Sequence, residues 1–244
     1  MITILPTTTK NPLQLIGATA GVCWNANVND ANKNIKRAID CIMSDHGRVM
    51  EWPTVDCIID GYSAKVIREA MRHIVGTSVL QASTRYIDYT KYGVPVVTPI
   101  SVEKDELAKE TWDETIQAIK DGMLKLKEFG IPNEDLTNLL PLAYQSKIVW
   151  QLNLRTLINF MNKRLCTRAY HEIRQLSIDL KNELSEYSDE WKTITDMLFV
   201  PTCEKYKFIN PEVCFCTETK CCGRHLQIQN ISIVDKRTNI DDGK

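Results

Sequence analysis

The sequence predicts one domain of the α/β or α+β class. A helix–strand–helix–strand order in its first part gives way to long helices, and alternation of that kind on one chain builds layered domains. The 244 residues suffice for one large core. A 43% hydrophobic and 25% charged composition is that of an ordinary globular protein.

Each element has a local cause. In the segment beginning NANVNDANKNIKRAID, Ile35, Ala38, Ile39 and Ile42 recur at helical spacing. PTVDCIID then carries β-branched residues in partial alternation and predicts a strand. Gly61 and Tyr62 are expected to turn the chain, with Ser63 as N-cap of a helix over AKVIREAMRH. STRYIDY is expected to be extended, and VPVVTPI to be a strand or strand edge interrupted by prolines. A long helix is predicted from Lys104 to Phe129, ended by Gly130 and Pro132. Another is predicted from Ser146 to Leu180, with a break in the middle. Residues 1–200 form the main domain. Residues 201–244 form a cysteine-rich extension packed on it, whose last stretch, TNIDDGK, is expected to fray.

The formal net charge is −1, so no global field draws the chain to nucleic acid or to a membrane surface, and an anionic ligand must be held by local arginines. No apolar run approaches the about 20 residues of a membrane helix, and the N-terminus lacks the pattern of a signal peptide. A cytoplasmic protein is expected, with neither nucleic acid nor membrane as partner. Of the nine cysteines, Cys23, Cys41, Cys57 and Cys166 read as small core residues. Cys203, Cys214, Cys216, Cys221 and Cys222 cluster, which suggests metal or redox chemistry in a reducing compartment. They lack the CxxC spacing usual in zinc sites. The extension therefore reads as a compact cap with buried thiols, and those five cysteines are at most weak zinc candidates.

Two regions carry candidate chemistry. In REAMRHIVGTSVLQASTRY a helix ends near Arg72 and His73, Gly76 loosens the backbone, and Gln81, Ser83, Thr84 and Arg85 follow. Guanidinium forks and hydroxyls grip phosphates, although Arg72 and His73 equally suit a helix C-terminus. In QLNLRTLINFMNKRL, Leu154, Leu157, Ile158, Met161 and Leu165 form an apolar stripe, flanked by Arg155 and Asn159 on one side and Arg164 on the other. These polar groups either border a cleft or are a helix's solvated edges.

Together the two regions resemble the flavin-dependent thymidylate synthases. The family signature is Arg-His-Arg, then, after a short gap, Ser with Arg and Tyr close behind. It is matched by Arg72-His73 and by Ser83, Arg85 and Tyr86. Upstream, Asp45-His46, Glu51, Gly61 and Ser63 fall in register with the family pattern. Downstream, Leu140-Pro141, Asn153-Leu154-Arg155-Thr156, Asn159-Phe160, Arg164 and His171-Glu172-Ile173-Arg174 do so. The resemblance implies the family fold, with a mixed or antiparallel sheet and long helices, assembled as a homotetramer with active sites at subunit interfaces.

It also implies reductive methylation of dUMP to dTMP, with FAD as cofactor and NADPH and methylenetetrahydrofolate as co-substrates. FAD would be held by Arg72, His73, Gln81, Asn153, Arg155 and Asn159. The nucleotide would be held by Glu69, Arg72, Gln81, Ala82, Ser83, Thr84, Arg85 and Arg164, and Arg164 would also polarise the pyrimidine. No cysteine nucleophile is implied. The chain departs from the pattern at Ile74, at one extra residue before Ser83, at Arg48 and Trp52, and at Thr137, where an arginine is usual. Those departures suggest as alternatives a C5-modifying enzyme of another pyrimidine nucleotide such as dCMP, or a non-catalytic FAD- and nucleotide-binding relative.

Overall fold

A computed structural model describes residues 1–228. The expectation that TNIDDGK frays lies outside the described residues, as does the end of the 201–244 extension. The elements are β1 (Ile2–Ile4), α1 (Pro12–Val22), α2 (Ala31–Met43), β2 (Thr54–Ser63), α3 (Ala64–Ala70), β3 (Thr77–Gln81), α4 (Tyr89–Tyr92), α5 (Ile100–Glu103), α6 (Glu106–Glu128), α7 (Asn133–Leu136), β4 (Gln145–Asn153), α8 (Leu154–Arg164), α9 (His171–Tyr187) and α10 (Asp189–Leu198). Among the described residues the strands form one antiparallel sheet in the order β1-β2-β4-β3.

The sheet buries one face. Along β4, Ser146, Ile148, Trp150 and Leu152 are buried while Lys147, Val149 and Gln151 are exposed, the period of a half-buried strand. The buried set packs with Leu154, Leu157 and Phe160 of α8, Ile173, Leu176 and Leu180 of α9, and Trp191 of α10 in the main core. A smaller cluster joins Tyr89, Met123, Leu136 and Tyr144 under α6.

Several sequence expectations hold. The 35/38/39/42 stripe lies on α2, PTVDCIID opens β2, and α6 ends at Gly130, whose φ is +77°. Ser63 caps α3, its Oγ accepting from Val66 N. A buried carboxylate strengthens this cap: Glu172 of α9 accepts from Ser63 N at 2.6 Å and from Ser63 Oγ at 2.7 Å.

Others are corrected. Gly61 and Tyr62 do not turn the chain. They lie in β2, at a register shift between Ile59 and Tyr62 where β2 carries one residue more than β4, and Gly61 takes φ +81°. This is a glycine bulge, and it puts both Tyr62 and Ser63 inside. Ser146–Asn153 is strand rather than helix; its alternation runs directly into the α8 stripe, which hid the boundary. STRYIDY contains a turn over 84–86 and the start of α4. VPVVTPI contributes only an isolated bridge, Val96 to Tyr144, because Pro95 and Pro99 cannot donate to a ladder. Cys41 and Cys57 are core residues, but Cys23 is exposed and Cys166 half-buried.

Candidate active site

The candidate site is a seam between two antiparallel stretches of one chain: α8, and the segment from Glu69 to Gly76. Four contacts register them. Glu69 ion-pairs with Arg164. His73 meets Phe160 edge-on, ring centroids 5.1 Å apart. Thr156 Oγ1 donates to Val75 O, and Asn153 N donates to Gly76 O at 2.9 Å.

The Asn153 end is fixed by local chemistry. β4 passes into α8 without a loop, and Asn153, in extended conformation, caps the helix by accepting from Thr156 N at 2.9 Å. Gly76 adopts φ +68°, and a Cβ there would stand 2.1 Å from Asn153 Nδ2, so both conformation and space require glycine.

Beside this junction is a cleft of about 860 Å³ lined by Glu51, Gly76, Asn153, Arg155, Asn159 and Lys205 among others, within the roughly 300–1,000 Å³ range of small-molecule sites. Two of its cations are already paired, Arg155 to Glu51 at 2.6 Å and Lys205 to Asp45 at 3.7 Å. The Arg155 pair is substantially exposed, and such a pair is worth only about 0–1 kcal/mol. A ligand phosphate can therefore compete for the guanidinium.

At the other end of α8, Arg164 is mostly buried against Glu69, and its Nε is a buried donor with no partner. An unmet donor of this kind costs about 1–3 kcal/mol and marks a place for an acceptor. Burial, and secondarily the Arg164 charge, hold the His73 imidazole below its ordinary pKa. The ring is therefore neutral near pH 7 and has an acceptor nitrogen. Arg72 is exposed beside it, and Ile74, where the family pattern has arginine, projects outward at 75% exposure.

The remaining predicted residues lie elsewhere. Gln81 donates to Ser146 Oγ at 2.9 Å, and Ala82 N donates to Lys147 O. Thr84 begins a turn in which Ser83 Oγ accepts from Arg85 N at 3.3 Å. Asn133 ties this turn down, its Nδ2 donating to the carbonyls of Arg85 and Ile87 at 2.9 Å, while the Arg85 side chain pairs with Glu134 at 2.9 Å. β3 separates this turn from Gly76 by five residues, roughly 17 Å at about 3.3 Å per residue. One chain thus gathers Glu69, His73, Asn153, Arg155, Asn159 and Arg164 along α8. It does not bring Gln81, Ala82, Ser83, Thr84 and Arg85 to them.

Arg48 lines a different hollow, with Cys23 and Trp24. Sequence reading missed the carboxylates Asp45 and Glu51 as partners of the cleft cations, and missed Glu172. Their contacts cross long sequence separations and leave no local signal.

The cysteine segment borders the Arg164 end. Cys166, Cys203, Cys216, Cys221 and Cys222 line a cavity of about 300 Å³ that Arg164 also reaches. Cys214 lies apart, its Sγ donating to Pro211 O. Among the clustered thiols only Cys216 is buried, so the expected cap with buried thiols is instead an open, thiol-lined hollow. No helix among the described residues is long and apolar enough to cross a membrane.

A family model described as "Thymidylate synthase complementing protein" matches residues 4–188. The flavin-dependent thymidylate synthase of Geobacter sulfurreducens is 30% identical over 179 residues, 70% of this chain and 77% of that protein. Among solved structures, a UMP/dUMP methylase from Streptomyces cacaoi bound with 5-Br dUMP aligns with TM-score 0.65 at 15% identity, covering 82% of this chain and 96% of that one. A flavin-dependent thymidylate synthase from Helicobacter pylori complexed with FAD and dUMP aligns with TM-score 0.61 at 19% identity, covering 79% and 98%. At these identities the structural matches establish a shared fold.

Proposed function

Because this chain belongs to the thymidylate synthase complementing proteins, the flavin-dependent thymidylate synthases, we propose that it converts dUMP to dTMP by reductive methylation. Methylenetetrahydrofolate gives the carbon, NADPH is the reductant and FAD is the cofactor. The observation that carries the assignment of residues is the α8 seam, which sets two amides and a guanidinium on one cleft and an arginine with an unmet buried donor at its far end.

The residues fit a flavin nucleotide. The cleft is large enough, Asn153 and Asn159 offer amide donors and acceptors, and Arg155 offers a fork for a pyrophosphate. His73 and Arg72 border the same seam. When bound, FAD supplies the hydride chemistry, which lies outside the reach of side chains alone. The protein's own part is binding and polarisation. Glu69 fixes the Arg164 guanidinium, which would donate to a pyrimidine oxygen when the nucleotide is bound. A fixed cation there favours the electron-rich, enolate-like ring that methylation at C5 needs. Ser83, Thr84 and Arg85, with backbone from Gln81 and Ala82, receive the nucleotide phosphate, Arg85 exchanging Glu134 for it.

Since β3 holds that turn away from α8 of its own chain, the two half-sites meet between copies in a homotetramer. The exposed apolar side chains Ile74, Val75, Leu80 and Tyr86 lie between them and are the surface that assembly would cover. All nine cysteines are free thiols, which suits a cytoplasmic setting.

The test is spectroscopic and chemical. The purified chain should be yellow, should change its flavin spectrum on adding dUMP, and should release tritium from C5-labelled dUMP when NADPH and the folate are present. Failure to take up flavin even after reconstitution would remove the assignment. Clear preference for dCMP would replace the substrate.

A further inference from the structure

Residues 201–228 have few means of holding themselves in place. They contain the 3-10 turn Thr202–Glu204 and an isolated bridge between Cys216 and Gln227, and only Pro201 and Cys216 among them are buried. A segment with so little core ordinarily needs a cross-link or a metal. The family match ends at residue 188, so the family model does not cover it. Yet the segment is folded against α8. Thr202 Oγ1 donates to Asn162 O at 3.0 Å, and Arg168 donates to Lys220 O.

Within it, the Cys203 Sγ, a Glu204 carboxylate oxygen and a His225 ring nitrogen all lie within 4.8 Å of one another, each residue half-buried. His225 Nε2 is 3.1 Å from Glu204 Oε1. Cys221 braces the turn that presents His225: its Sγ donates to His225 O and accepts from Gly223 N, both at 3.3 Å. Arg224 also reaches Glu204, at 3.2 Å, and is the cation that an ion at this place would have to share the carboxylate with.

We propose that residues 201–228 are clipped to the end of α8 by a zinc-type divalent ion held by Cys203, Glu204 and His225, with a fourth ligand drawn from the thiols of the adjoining cavity. Thiolate, carboxylate and neutral imidazole are the ligand types zinc takes; with a second thiolate as fourth ligand the site carries one net negative charge, which Arg224, 3.2 Å from Glu204, offsets. With zinc–ligand bonds of about 2.0–2.3 Å, ligand atoms in a tetrahedral site stand roughly 3.4 Å apart, so the widest pair in the triad needs to close by at most about 1.4 Å. The cavity beside it supplies Cys166, Cys216, Cys221 and Cys222. Binding releases the protons of Cys203 and of the fourth ligand's thiol, and Arg224 becomes an outer partner of Glu204. The ion is structural: it stabilises the hollow beside Arg164 and takes no part in methyl transfer.

The full chain, purified without chelator and dialysed against zinc, should hold about one zinc per chain by elemental analysis. C203S and H225Q should each lose most of it, while C23S, at an exposed and distant thiol, should keep it. Should those variants fail to fold, cobalt loading of the unaltered chain decides. Tetrahedral visible bands with a thiolate charge-transfer band support the site, and a featureless spectrum overturns it. Zinc below about a tenth per chain after dialysis, full zinc in C203S, or loss of free thiols to disulfides in the unreduced protein would each overturn it as well.

Discussion

The segment from Glu69 to Arg85 behaves as two regions joined at Gly76. Its first half is locked to α8 by an ion pair, an aromatic contact and two hydrogen bonds to backbone carbonyls. Its second half leaves along β3 and ends in an exposed turn anchored by Asn133 and Glu134. The first is preorganised, as polarising chemistry requires. The second is accessible, and its arginine is paired only at the surface. A motif continuous in sequence is thus divided in space, and its two ends are expected to fail differently.

The largest effect is expected at the locked half. Arg164→Ala should lower kcat about 10²–10³-fold, the usual cost of removing one preorganised donor, with flavin content retained. Arg85→Ala should leave kcat closer to normal. Co-expressing the two variants should give mixed assemblies that, at dUMP well below the KM of Arg85→Ala, are more active than either alone, because some sites then draw one intact half from each chain. No recovery would break the comparison. Next, Gly76→Ala should destabilise the protein by about 2 kcal/mol or more, from the left-handed backbone and the clash with Asn153, and should reduce flavin occupancy; a chemical denaturation midpoint reads the first and absorbance the second.

Arg85→Ala alone should raise the KM for dUMP about 10- to 100-fold, since losing a charge-assisted bond costs about 1.5–3 kcal/mol at 1.4 kcal/mol per decade. A fall in flavin content instead would place Arg85 on the wrong ligand. The smallest effect is a pH slope. With its pKa depressed by burial and by Arg164, His73 is harder to protonate folded than unfolded. Its contribution to stability is therefore complete above its ordinary 6.5 and is lost as pH falls below that value. His73→Phe, which keeps the edge contact to Phe160, should flatten the melting temperature between pH 7 and 5 relative to the unaltered chain.

Much of this was legible in local pattern. The α2 stripe, the β2 run and the Ser63 cap depend on residues within a turn or two of each other, and the structure has them. So do Arg155 and Asn159, one helical turn apart at the cleft. β4 was misread because Ile148, Trp150 and Leu152 alternate for only a few residues before the helical stripe of Leu154 and Leu157 takes over. β3 was missed because TSVLQ is short and largely exposed, leaving no apolar face to see. Pairs such as Glu69 with Arg164 or Glu204 with His225 are made by the fold and have no spacing to read. The five cysteines were conspicuous, yet only Cys203 joins a ligand triad, and its companions are residue types too common to single out.

Glu172 has a wider consequence. It touches nothing in the cleft, yet it clasps the first residue of the strand-to-helix corner that aims α3, and α3 carries Glu69. The heading of that short helix is thus steered from α9, which packs directly against it. Changes around Glu172 can trim the bearing of Arg164 while every group that meets substrate stays as it was, which gives this fold a way to retune its chemistry by leverage, at a distance from the ligands.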